Sequence, residues 1–144
     1  MSFMQFVAKI LHMPSISTRL HAILDYFFSL FLMLAPAIFG FGEADTETII
    51  PIVAGMTICF YSFFTRYEGG LSPVFPMRVH FVFDVVVAVF VATSPWVFGF
   101  RSFVYKPHLF IGLAFGIQSI LASWPLIITY KLRWQRYLVA NTSM

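Results

Sequence analysis

The chain has 144 residues, of which 60% are hydrophobic and only 10% charged. A soluble domain carries about a quarter of its residues as charges, so a soluble enzyme is excluded. The net charge of +3 is dispersed along the chain and marks no nucleic-acid surface. The single cysteine, Cys59, excludes an intrachain disulfide framework or a cysteine-based metal cluster.

In chain order, residues 1–18 place Phe3, Phe6, Val7, Ile10 and Leu11 at helical spacing with Lys9 inside the pattern. A secretory signal would carry its positive charge before the apolar core. The pattern predicts instead an amphipathic helix lying in the membrane interface. Pro14 breaks it, and Ser15–Thr18 offer capping groups for the next helix.

Four apolar runs follow, each near the ~20 residues that a helix needs to cross a bilayer. The expected spans are 20–38, 49–64, 79–97 and 108–130. Pro36 falls in the last turns of the first, and Gly40 is its expected left-handed terminator. Thr48 is the candidate N-cap of the second span, with Pro51 in its first turn. Residues 67–77, with Gly69, Gly70, Pro73 and Pro76, form a hinge. The fourth span is expected to kink at Pro125, and 131–144 forms a basic, aromatic tail.

The chain is a duplication. Arg19, His21, Asp25, Pro36, Phe39, Gly40 and Phe41 recur 59 residues later as Arg78, His80, Asp84, Pro95, Phe98, Gly99 and Phe100. Segments 19–66 and 78–130 are therefore two two-helix membrane repeats that enter the bilayer in the same direction. The expected fold is all-α, a four-transmembrane-helix bundle whose halves are related by a twofold axis along the membrane normal. Seven Lys and Arg residues fall on one side (Lys9, Arg19, Arg66, Arg78, Lys131, Arg133, Arg136) and two on the other, Arg101 and Lys106. The positive-inside rule then puts both termini in the cytoplasm of a bacterial-type inner membrane.

Two sets of residues stand out. On the even-numbered helices Gly55, Cys59 and Ser62 form a small-residue stripe, repeated as Gly112, Gly116 and Ser119. Small stripes let helix backbones approach closely in lipid. On the odd-numbered helices His21 and Asp25 share a face one turn apart, as do His80 and Asp84. Ionisable residues in a membrane span are functional candidates by default. The bland alternative is a polar clasp, in which Asp25 pairs with His21 or Arg78, and Asp84 with His80 or Arg19. At this depth, about a turn and a half into the helix, the carboxylates are expected to be partly hydrated.

The run Ser94-Pro95-Trp96, in the context His80, Asp84 and Gly99, resembles the SPW-repeat family of prokaryotic membrane proteins. The likeness covers about Arg19 to Trp124, and Ala35-Pro36-Ala37 replaces the triplet in the first repeat. The resemblance implies two transmembrane helices per repeat and no defined biochemical activity. Physically the triplet reads as a helix end: Pro95 bends or ends the helix, Ser94 caps a freed carbonyl, and Trp96 anchors at headgroup depth.

No catalytic residue, no cofactor requirement and no metal-ligand motif such as CxxCH or HExxH is present in the sequence. The leading expectation is a non-catalytic accessory or scaffold subunit, with the lipid bilayer and other membrane subunits or further copies as partners. A proton, ion or small-molecule conduit through the His/Asp cluster is the first alternative. A haem- or quinone-binding redox protein is the second.

Overall fold

The structure is a computed structural model in which residues 16–42 and 45–123 are described. The interfacial helix expected before residue 16, the Pro125 kink and the basic tail lie outside the described residues. Within them the fold is all-α, with four helices. They are α1 (Thr18–Phe39), α2 (Thr46–Phe63), α3 (Met77–Val97) and α4, which is helical over 106–123. By length and composition, α1, α2 and α3 can each cross a membrane.

Helix ends follow local chemistry. Ser17 caps α1 by accepting from the Leu20 N–H at 3.2 Å. Gly40 closes it in the left-handed region (φ 66°), and Gly99 after α3 sits at φ 78°. No Cβ opposes those angles in glycine. One boundary differs from expectation. α2 starts at Thr46, with Asp45 as its N-cap residue, so Thr48 lies inside the helix and Pro51 in its second turn. The Thr48 hydroxyl donates to the Gly42 carbonyl and not to a helix-terminal N–H.

Prolines inside α2 and α3 leave carbonyls that other residues satisfy. Pro95 has no N–H for the Val91 carbonyl, and Ser94 Oγ donates to that oxygen at 2.8 Å. Pro51 frees the Glu47 carbonyl, which lies 3.1 Å from His108 Nε2 of α4. The order Ser-Pro in the second repeat therefore has a local structural reason. Ala35 offers no hydroxyl to do the same before Pro36.

The core sits on the bundle axis, built from Leu32, Ala35, Ala54, Ile58, Ala88, Val91, Ile111 and Phe115. The outer face carries Ile23, Phe27, Leu30, Phe60, Val82 and Val86, all more than half exposed, as suits lipid. The small-residue stripe lies at close helix–helix contacts. A Cβ on Gly55 would come 2.5 Å from the Ser29 carbonyl oxygen, and one on Gly112 would come 2.7 Å from that of Ala88. Ser29 and Ala88 are themselves equivalent in the two repeats, so the same contact is made twice. Ser62 and Ser119 are buried, and Cys59 is half-buried.

Candidate functional site

His21 and His80 occupy the fourth residue of α1 and of α3, and Asp25 and Asp84 the eighth. An i, i+4 spacing sets each histidine and aspartate on one helix face, and in both helices that face is turned to the bundle axis. The four side chains meet there, and all four residues are 0% exposed. The partial hydration expected from their depth finds no exposed surface on these residues. The loop between the repeats and the Phe81 ring cover the cluster.

Four atoms converge: Nε2 of both histidines and Oδ2 of both aspartates. His21 Nε2 lies 3.1 Å from His80 Nε2, 3.5 Å from Asp25 and 3.2 Å from Asp84. His80 Nε2 lies 3.1 Å from Asp25 and 3.4 Å from Asp84. Each carboxylate thus faces the histidine of its own repeat and that of the other.

Surrounding groups fix the orientation of all four. His21 Nδ1 is 2.8 Å from Gln118 Oε1, and the amide nitrogen of Gln118 donates to Asp25 Oδ1 at 3.2 Å. His80 Nδ1 is 2.9 Å from Thr65 Oγ1, whose proton goes to the Tyr61 carbonyl at 2.7 Å. Tyr61 OH donates to Asp84 Oδ1 at 2.6 Å. Tyr67 OH donates to Asp25 Oδ2 at 3.2 Å. Burial pushes the Tyr67 phenol well above its ordinary value, and the adjacent Asp25 carboxylate adds to the shift, so Tyr67 remains a donor. Asp84 Oδ2 has no hydrogen-bond partner among the described residues.

Arg19 and Arg78, expected as partners of the aspartates, do not share this centre. Both side chains are exposed while the cluster is buried. Long side chains in the first turn of a helix extend past its end, away from a centre about one to two turns further in. Arg19 instead stands near Glu68, whose carboxyl is held below its usual range by its own backbone N–H, the Thr18 hydroxyl and the Arg19 charge.

The residues missing from the sequence reading are Tyr61, Thr65, Tyr67 and Gln118. A signal existed for one pair. Tyr61 and Gln118 are 57 residues apart, the offset of the small-residue stripe, so they occupy equivalent places on α2 and α4. No comparable signal marks Thr65 or Tyr67, which act from the end of α2 and the loop beyond it. Among the helix-end residues, Pro36 and Gly40 lie at the end of α1, and Ser94 and Pro95 are buried in α3. Trp96 is 45% exposed, with its ring 5.8 Å from Tyr105.

The four side chains of the cluster are all of types that ligate metal ions. A haem between the two histidines is not compatible with the geometry, because nitrogens 3.1 Å apart leave no room for a porphyrin plane.

The family model described as SPW repeat domain matches residues 19–124. No curated protein and no solved structure matches the chain.

Proposed function

We propose, for a chain that belongs to the SPW repeat family, that it serves as a non-catalytic scaffold subunit of a larger membrane assembly. The His/Asp centre is its internal joint. The observation that carries this reading is the closure of the centre. All four central residues are fully buried, and each repeat supplies the hydrogen-bond partners of the other's aspartate. A catalytic site needs access for a substrate, and these residues offer none.

A conduit is the weaker reading. Between the centre and the buried His108 near the Trp96 end, the axis is filled by Leu32, Ile58, Val91 and Phe115, none of them ionisable. The exposed apolar faces of α1, α2 and α3 suit lipid or the helices of other subunits equally. The excess of Lys and Arg on the side of the hinge loop orients that end, and both termini, toward the cytoplasm of an inner membrane.

Extraction of native membranes in mild detergent, with size analysis and mass spectrometry, tests the reading. A stoichiometric assembly larger than the chain and its own copies is expected. A chain that migrates alone, or only with copies of itself, and carries no other subunit would overturn it.

A further inference from the structure

We propose that His21, Asp25, His80 and Asp84 form a closed, four-ligand site for one divalent transition-metal ion of the zinc type, shared by the two repeats. The inference stands independently of whether the chain is a subunit of anything larger.

The first ground is shape. Zinc takes imidazole nitrogen and carboxylate oxygen at about 2.0–2.1 Å in a tetrahedron, which makes the distance between any two ligand atoms about 3.3–3.4 Å. Five of the six distances here are 3.1, 3.5, 3.2, 3.1 and 3.4 Å. All four atoms lie within 4.8 Å of one another. The histidine–histidine contact and all four histidine–aspartate contacts are thus within a few tenths of an ångström of that tetrahedral edge.

Protons supply the second ground. The Thr65 hydroxyl gives its proton to the Tyr61 carbonyl, so it accepts from His80 Nδ1. The Gln118 amide nitrogen faces Asp25, so its oxygen accepts from His21 Nδ1. Both neutral imidazoles then carry their proton on Nδ1 and turn a bare Nε2 inward. The outer oxygen of each aspartate is held by Tyr61 or Gln118, which leaves Oδ2 inward. Asp25 Oδ2 also accepts from Tyr67 and keeps a second lone pair, while Asp84 Oδ2, 3.2 Å from His21 Nε2, has no hydrogen bond among the described residues. With both imidazoles neutral the centre presents four lone pairs to one another. That arrangement is repulsive unless a cation sits among them, either a metal ion or protons in the 3.1 Å contacts of His80 Nε2 with Asp25 Oδ2 and His21 Nε2.

Charge is the third ground. Two carboxylates and two neutral imidazoles sum to −2, and a dication makes the centre neutral where an uncompensated charge is most costly. Calcium and magnesium prefer six or more oxygen ligands. Two nitrogens and two oxygens in a tetrahedron favour zinc, or cobalt in its place. Hydrogen-bonded Nδ1 atoms and outer carboxylate oxygens are the supports that metal ligands ordinarily carry. Four protein ligands leave no open position, so the ion is structural.

The test uses the full chain with a tag free of histidine, purified in mild detergent without chelator. Elemental analysis is expected to find one zinc-type ion per chain. After chelation, cobalt titration should saturate at one equivalent with the intense visible bands of a tetrahedral site. Asp84→Asn, which preserves shape, should weaken cobalt binding at least tenfold. Gln118→Leu should weaken it by about 10–100-fold through loss of ligand orientation alone. Helicity by circular dichroism shows whether each variant is folded. Should Asp84→Asn not fold, the wild-type cobalt spectrum decides. Wild-type protein that purifies without metal and shows only weak, octahedral cobalt bands would overturn the proposal. Undiminished binding in folded His21→Ala or His80→Ala would overturn it equally, by placing the ion elsewhere.

Discussion

The two repeats bring identical residues to the centre but hold them by different means. In the second repeat Asp84 is supported by Tyr61 of α2 and His80 by Thr65, two residues beyond the end of that helix. In the first, Gln118 of α4 does both tasks, donating from its nitrogen to Asp25 and facing His21 with its oxygen. The covers differ in the same way. Phe81 lays its own ring against His21, whereas its equivalent Ala22 is small and leaves space for the loop at Gly69, where a Cβ would come 2.7 Å from Ala22. The geometry at the centre is thus kept while its surroundings vary. It is the four inward atoms, and not any one supporting bond, that the architecture specifies.

The largest effects should come from the shared residues, and should be alike in the two repeats. Asp25→Ala and Asp84→Ala each remove one member of a buried charged set and should each cost about 3–5 kcal/mol. Detergent-denaturation curves followed by circular dichroism would measure both. A large loss for one and none for the other would break the equivalence.

The supports should show the asymmetry. Tyr61→Phe removes one hydrogen bond to a carboxylate, a loss of about 1.5–3 kcal/mol, and Thr65→Val removes one to an imidazole, about 1 kcal/mol. Gln118→Leu removes both kinds at once. It should therefore exceed Thr65→Val in the same assay and fall somewhat short of the Tyr61→Phe/Thr65→Val double variant, because Asp25 keeps its bond from Tyr67. Parity with Thr65→Val alone would show that Gln118 serves only one partner.

Packing is next. Gly55→Val and Gly112→Val each drive a side chain into the facing backbone and should cost about 1–3 kcal/mol. Gly116→Ala should be milder, because its Cβ would meet only the Ala88 Cβ at 3.2 Å. The smallest effect concerns the triplet. Ser94→Ala should lose about 1 kcal/mol as the Val91 carbonyl is left without its partner. Ala35→Ser should recover some stability by supplying that bond in the first repeat. Thermal melts in detergent resolve both, and a neutral Ser94→Ala would remove the structural reason given for the Ser-Pro order.

The fold was legible because lipid imposes few solutions. Apolar runs of spanning length, prolines near their ends and Gly40 and Gly99 at left-handed positions predict four helices, and the 59-residue repetition pairs them. Thr48 misled because a threonine before a proline resembles a cap, while its hydroxyl in fact turns back to Gly42. At the site, His21, Asp25, His80 and Asp84 were readable as a cluster because ionisable residues in a span must face inward. Two things were not readable. Arg19 and Arg78 share the repeat register, but register says nothing about which way a long side chain bends. Gln118, Thr65 and Tyr67 act through contacts 93, 15 and 42 residues away, which helical periodicity does not encode.

The central claim is that the two repeats share one centre, and a double-mutant cycle between Asp25→Asn and Asp84→Asn tests it most directly. Unfolding free energies would be measured for the wild type, both single variants and the double variant in one detergent. Residues that share a set of partners couple by about 0.5–3 kcal/mol. A shared centre predicts coupling in that range, with the second substitution costing much less than the first. Costs that add to within about 0.5 kcal/mol would mean two independent sites and would contradict the claim.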